Sequence, residues 1–204
     1  MIFVCSMGDL FHPGVPMNYV VEVVRKMQDA SHHTFLVLTK RPGRMKKVFD
    51  ACNHSEIIPN IWLGVTAENQ EMADERIPVL LQIPAAIRFV SVEPMIGQAD
   101  IDSYLIVGAD RLGSNMRKGI DWVICGGETG PKARPMHPDW PRSLRDQCQE
   151  ASVPFFFKQW GEWGFEPYGW LNPYQSITMG SEVMFKCGKK AAGRLLDGRE
   201  WNEM

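Results

Sequence analysis

Six sets of polar residues, each placed just after a short apolar run, have the types needed for acid–base or anion-binding chemistry. Ile2–Cys5 is followed by Ser6, Asp9 and His12, and Phe35–Leu38 by Thr39, Lys40 and Arg41. Ile61–Val65 leads to Thr66, Glu68 and Asn69, and Ile87–Val92 to Glu93 and Pro94. Trp122–Cys125 leads to Gly126-Gly127-Glu128-Thr129-Gly130, and Pro154–Phe157 to Lys158-Gln159-Trp160. Chance could put a polar residue after one run; six in succession indicate a common site. Carboxylates near lysines are the usual material of proton transfer, so Asp9, Lys40, Glu68, Glu93 and Lys158 form the candidate catalytic set.

Each candidate has a plainer reading beside the chemical one. The Gly126-Gly127 pair could let a ligand approach the backbone, with amides for an anion and Glu128 for an amine or ribose hydroxyl. It could equally be a tight turn after a strand, and it is not a phosphate-binding Walker loop, because no Gly-Lys-Ser/Thr follows. Gly126, Gly127, Glu128 and Thr129 are the candidate cofactor contacts. Lys40-Arg41 could hold phosphate or carboxylate, Arg41 in bidentate fashion, or be a surface pair opening the next helix at Pro42. Asp9 and Glu93 suit acid–base groups, ribose ligands or partners for these cations. Lys158, after three phenylalanines, could be a desolvated base or Schiff-base former; a buried ion pair with Glu68, Glu93 or Glu128 is the more ordinary use. His12 and His137 sit beside prolines and fit turns better than metal ligation. Trp160, Trp163 and Trp170 could stack on a ring, although core packing is commoner. Lys186, Lys189, Lys190, Arg194 and Arg199 make a basic tail that could touch nucleic acid or simply be solvated.

The apolar runs are strand-length, rich in β-branched and aromatic residues, and nearly continuous, as in strands buried on both faces of a parallel sheet. Helical spacing lies between them. Val20, Val21, Val24 and Met27 share one face; Met45, Val48 and Phe49 follow Pro42; Met72, Ile77, Leu80 and Leu81 form a third set that Pro78 could kink or divide. Trp140 to Ala151 is a fourth helix, with Pro141 in its first turn. Strands alternating with helices indicate repeated βαβ units, with the functional face at the C-terminal ends of the strands. The fold expected is a partial parallel (β/α) barrel over residues 1–160, with an irregular, dependent C-terminal cap over 161–204. The Asp100–Gly119 segment reads as a long connection or insertion, and Val183–Phe185 as a strand. An eight-unit barrel takes about 250 residues, whereas this chain has 204. The expectation is therefore that two N-terminal units are missing, or that the barrel is shorter or open. Its first and last strands would then be edges, of which the tail after Trp160 could cover one but not both, with Phe155, Phe156 and Phe157 contributing most of the exposed apolar surface and promoting self-association.

The formal net charge of −2 gives no global basic field for nucleic acid. No apolar run approaches the roughly 20 residues of a membrane span, and the N-terminus lacks the features of a signal peptide. Five scattered cysteines, Cys5, Cys52, Cys125, Cys148 and Cys187, suggest reduced thiols in a cytoplasm rather than a disulfide framework. None forms a CxxC or CxxxCxxC motif.

Several motifs together resemble the phage gp-thirty-seven/gp-sixty-eight protein family. They are Ser6–His12, Leu38–Pro42, Trp62–Val65, Ser91–Pro94, Gly126–Gly130, Ala133–Trp140, Phe155–Gly161 and the tail Gly188–Arg199. The resemblance spans nearly the whole chain. It implies a radical-SAM-like enzyme that uses S-adenosylmethionine and a [4Fe–4S] cluster bound by an N-terminal cysteine motif. No such motif stands ahead of Ile2, so the resemblance implies ancestry, with the chain expected to be inactive by itself and to bind no metal. The substrate class it points to is a nucleotide or nucleic acid, with Arg41, Arg134, His137 and Trp160 as candidate substrate contacts. The competing readings are a cluster-free lyase or aldolase using Lys158 and the carboxylates, and a non-catalytic binding module.

Overall fold

The computed structural model describes residues 1–52, 57–105, 119–165 and 175–204. Six strands form one parallel sheet: β1 (Ile2–Val4), β2 (Phe35–Thr39), β3 (Ile61–Thr66), β4 (Arg88–Val92), β5 (Trp122–Gly126) and β6 (Phe155–Gln159). Their order in the sheet is their order in the chain. That order, all right-sized βα steps in one direction, is that of a barrel wall; a doubly wound sheet would reverse part-way. β1 and β6 do not pair, so the fold is a partial barrel with an open side.

The connecting helices are α1 (Met17–Asp29), α2 (Pro42–Ala51), α3 (Gln70–Leu80), the single-turn α4 (Asp102–Leu105) and α5 (Asp139–Glu150). α1 buries Val20, Val24 and Met27, leaving Val21 only partly covered. α2 starts at Pro42, whose missing N–H would have no helical partner there. α3 is capped by Asn69, whose Oδ1 accepts from the Met72 amide at 3.0 Å. It continues through Pro78 to Leu80 rather than dividing. α5 buries Pro141, Leu144 and Cys148. Of the Asp100–Gly119 connection, residues 106–118 lie outside the described part.

Side-chain alternation divides the strands between two apolar layers. Phe35, Val37, Leu63, Val65, Val90, Val92, Val123, Cys125, Phe155 and Phe157 belong to the core shared with the helices. Leu36, Phe89, Trp122 and Ile124, flanked by Leu38, Trp62 and Phe156, form a second cluster on the concave side. Gly64 makes room for it, since a Cβ there would lie 2.5 Å from the Phe89 ring.

The C-terminal segment covers one of the two sheet edges, that of β6. β7 (Trp163–Gly164), β8 (Ser176–Met179) and β9 (Glu182–Lys186) form a small antiparallel sheet in the order β7-β9-β8, followed by α6 (Lys189–Ala192). The last residues then lie antiparallel along β6: the Phe157 amide donates to the Trp201 carbonyl at 3.0 Å, and the Glu203 amide to the Phe155 carbonyl at 3.3 Å. Phe155 and Phe157 are fully buried, and Phe156 is only partly exposed. They therefore contribute little exposed surface. The open edge is β1, where Ile2 and Phe3 are 40% and 44% exposed.

Candidate functional site

Alternation also determines which strand ends look into the concave cleft. Residues of the inner cluster fix the parity on each strand, so Thr66 on β3, Ser91 on β4 and Gly126 on β5 face inward with Phe89 and Trp122. One step beyond the strands, Lys40 and Glu93 continue the inward rows. At Lys158 the register of β5 and β6 shifts: Cys125 pairs with Phe157 and Gly126 with Gln159. Lys158 is thus the extra residue of a bulge, a device that re-aims a side chain. Its Nζ donates to Glu93 Oε2 at 2.9 Å, and the Gln159 amide reaches Glu93 Oε1 at 3.4 Å.

Glu93 makes these contacts by crossing over β5, and Gly126 permits the crossing. A Cβ on residue 126 would stand 3.1 Å from Glu93 Oε1. The role expected for Gly126, close approach of a cofactor, is therefore taken by a carboxylate of the chain itself. Gly127 is more constrained: a Cβ there would lie 1.9 Å from the Trp160 carbonyl oxygen. Its amide donates to the Gln159 carbonyl at 2.9 Å, and the Gly130 amide to Glu162 Oε1 at 3.0 Å. These amides are thus committed within the chain and do not form an anion-binding nest. Glu128 accepts in bidentate fashion from Nε and Nη2 of Arg134, at 2.8 and 2.7 Å, and from the Arg134 backbone amide at 2.8 Å. The Arg134 bond outweighs the raising effect of burial and holds the Glu128 carboxyl at about 2, against an ordinary 4.5. Thr129 is exposed.

On the other flank Glu68 accepts from Lys40 and, at 2.8 Å, from Arg76. Burial raises the Glu68 carboxyl, but the Lys40 hydrogen bond, its own amide and Arg76 more than reverse this. Asp9 lies over the helix side of β2. It accepts from the Thr39 hydroxyl at 2.9 Å, the Phe11 amide at 2.9 Å and Arg41 at 2.6 Å. These bonds overcome desolvation and lower its pKa.

All six strand-end charges therefore sit at one end of the sheet. Lys40, Glu93 and Lys158 lie on the inward rows, Asp9 pairs with Thr39 and Arg41 on the helix side of β2, and Glu128 pairs with Arg134, which is also within electrostatic reach of Glu68. Lys158 is at the surface, its side chain 48% exposed. The depth that a desolvated base or Schiff-base lysine requires is absent, and the ion pair with Glu93 is made in the open. Trp160 is 2% exposed, bonds the Leu195 carbonyl through Nε1 and packs on Phe157 and Phe165, so it cannot serve as a substrate contact. Trp163 is likewise buried, bonding the Ala133 carbonyl at 2.8 Å; Trp170 lies outside the described residues. His12 and His137 are turn residues whose Nδ1 atoms accept from the Gly14 and Asp139 amides. His137 also packs against Trp140 and the β8–β9 turn at Gly180, away from the cleft. Basic-tail residues Lys186, Arg194 and Arg199 stack on Trp163, Phe156 and Trp201 of this chain.

Sequence reasoning missed Thr66 and Ser91 as a pair. Thr66 was visible only as a residue after a strand, and Ser91 only inside one. Register alone makes them neighbours.

A family model described as a protein of unknown function (DUF5131) matches residues 1–204. The chain belongs to the DUF5131 family. No curated protein and no solved structure matches it.

The resemblance to radical-SAM proteins implies a cluster and S-adenosylmethionine, which can be tested against the residues present. Cluster iron needs grouped thiolates. Among the described residues no three Cys, His, Asp or Glu side chains converge on a metal position. Cys125 and Cys148 are buried, and desolvation pushes the Cys148 thiol up to about 12 and Cys125 well above its ordinary range. The five cysteines do not fit a cluster. Within residues 126–130, the segment suited to a nucleotide cofactor, the Gly127 and Gly130 amides and the Glu128 carboxylate are engaged within the chain.

Proposed function

We propose that the concave cleft binds an anionic, ring-bearing substrate of the nucleotide or nucleic-acid class, as the substrate-holding part of a radical-SAM-like enzyme. The observation that carries this reading is the placement of Lys40 and Lys158 on opposite flanks of an apolar, aromatic concave face, at the end of the sheet where parallel α/β folds bind ligands. Both side chains are about half exposed, 50% and 48%, and so can exchange a carboxylate of the chain for one on a ligand. The radical-SAM part of the proposal rests on the sequence motifs alone.

Calorimetric titration with nucleoside monophosphates and a short single-stranded oligonucleotide tests the reading. Saturable binding that weakens with salt and falls about tenfold or more in Lys40→Ala/Lys158→Ala is expected. Absence of binding, or binding indifferent to the double substitution, would overturn it.

A further inference from the structure

Two hydroxyls on the wall of the cleft have no hydrogen-bond partner among the described residues. Thr66 and Ser91 are register neighbours on β3 and β4 and face the concave side, one row beyond Phe89. Their residues are only 5% and 4% exposed. Their backbones are in use: the Thr66 carbonyl accepts from Arg76 at 2.8 Å and the Ser91 carbonyl from the Ala67 amide at 3.0 Å. Neither hydroxyl makes a hydrogen bond to a described residue, and neither is sealed in. The fully enclosed, unpartnered side-chain polar atoms among the described residues are Arg76 Nε and Arg194 Nε. The two hydroxyls therefore open into the cleft from positions that are otherwise buried.

An inward row built to be apolar would continue the Leu, Trp, Phe and Ile residues beneath it. Buried polar groups are normally satisfied, so two adjacent hydroxyls that no side chain of the described residues engages are available to a ligand that enters the cleft. A ligand suited to the site has an apolar body to lie against Ile124 and the partly exposed Phe156, which continue the row of Ser91, and a polar edge to meet the hydroxyls. A hydroxyl both donates and accepts, so the pair can bond an amide-like or an amine-bearing ring edge. Lys40 and Lys158 flank this position and would take an anionic group on the same molecule.

We infer that Thr66 and Ser91 read the heteroaromatic ring edge of the anionic ligand, making them the specificity-determining pair of the cleft. The inference rests on the nucleotide reading above and adds to it the part of the ligand that is recognised and the residues that recognise it. A site built to hydrogen-bond a ligand edge discriminates strongly against ligands lacking it.

The test compares nucleoside monophosphates with ribose 5-phosphate, which keeps the anion and lacks the ring, by calorimetry on the full chain. Wild type should prefer at least one nucleoside monophosphate by about tenfold or more. Thr66→Val/Ser91→Ala should abolish that preference and leave ribose 5-phosphate binding within about twofold, while Thr66→Ser, which keeps the hydroxyl, should retain it. Thermal melts accompany each variant, and if the double variant does not fold, Ser91→Ala alone should reduce the preference. Equal binding of both ligand types by wild type would overturn the inference, as would a preference untouched by the substitutions; either result leaves anion binding in the cleft intact. Failure of every phosphate compound to bind would overturn the nucleotide reading and this inference with it.

Discussion

At the level of single residues the two glycines after β5 do different work, and substitution should separate them. Gly127 faces a backbone carbonyl at 1.9 Å from the position of a Cβ, and neither chain can yield without breaking the Gly127–Gln159 hydrogen bond. Gly127→Ala should cost about 3 kcal/mol or more in unfolding free energy, beyond ordinary overpacking, or prevent folding. Gly126 faces a movable carboxylate, with Glu93 Oε1 at 3.1 Å. Gly126→Ala should cost about 1 kcal/mol and displace Glu93 from Lys158. Denaturant unfolding of the two variants decides this; equal costs would contradict it. Glu128 supplies a pH dependence. Its folded-state value, about 2, lies below the ordinary 4.5, so its stabilising contribution is complete above that range and disappears as pH falls toward about 2. Glu128→Gln should flatten the loss of stability across that window. An unchanged acid limb would show that the Arg134 pair contributes nothing.

Among the elements, the C-terminal strap is the one whose removal should matter most. Trp201 is 9% exposed, meets Phe155 edge-on with ring centroids at 6.1 Å and carries Arg199 at 4.0 Å on its face. The strap is tied to α5 as well, because Arg142 and Arg145 both bind Asp197, at 2.9 and 2.5 Å. Asp197 has φ 53°, in the turn that closes the Leu196–Arg199 bridge. Trp201→Ala should cost about 3–5 kcal/mol and speed hydrogen exchange at the Phe157 amide, whose acceptor is the Trp201 carbonyl. A native-like melt for Trp201→Ala would mean that β6 is stable without its cover. The bulge at Lys158 gives β6 an exposed cation between two buried residues, Phe157 and Gln159.

For the whole molecule, the asymmetry of the two sheet edges predicts how copies interact. β6 is covered, whereas β1 presents Phe3 and Ile2 with no strand on its outer side among the described residues. Exposed apolar edges pair with other chains, and an edge lysine opposes this. Concentration-dependent light scattering should show association that Phe3→Lys reduces; a strictly monomeric wild type would contradict the expectation. The cysteine placement gives a second prediction at this scale. Anaerobic reconstitution of the 204-residue chain with iron and sulfide should leave no stoichiometric iron and no visible charge-transfer band, because its thiols are dispersed and two are buried in the neutral form. Stoichiometric iron would refute it.

The amino-acid sequence alone determined the element order, the strand ends that carry charge and the parallel class of the sheet. These depend on local signals: runs of apolar residues, helical spacing such as Val20, Val24 and Met27, and prolines at helix starts. The tertiary structure decided which of those charges face the cleft and which are already spent. Asp9 and Lys40 follow neighbouring strands with the same apparent promise, yet bonds from Thr39 and Arg41 hold Asp9 on the helix side of β2. Gly126 and Gly127 suggested an anion cradle, but the space beside them is filled by Glu93 and by the Trp160 carbonyl, which are 33 residues away in both cases. Trp160 suggested a stacking platform until Leu195 and Phe165 enclosed it. The hydroxyls of Thr66 and Ser91 became a pair only through register, because contacts between strands join residues far apart in the chain, and no local pattern records which of them meet.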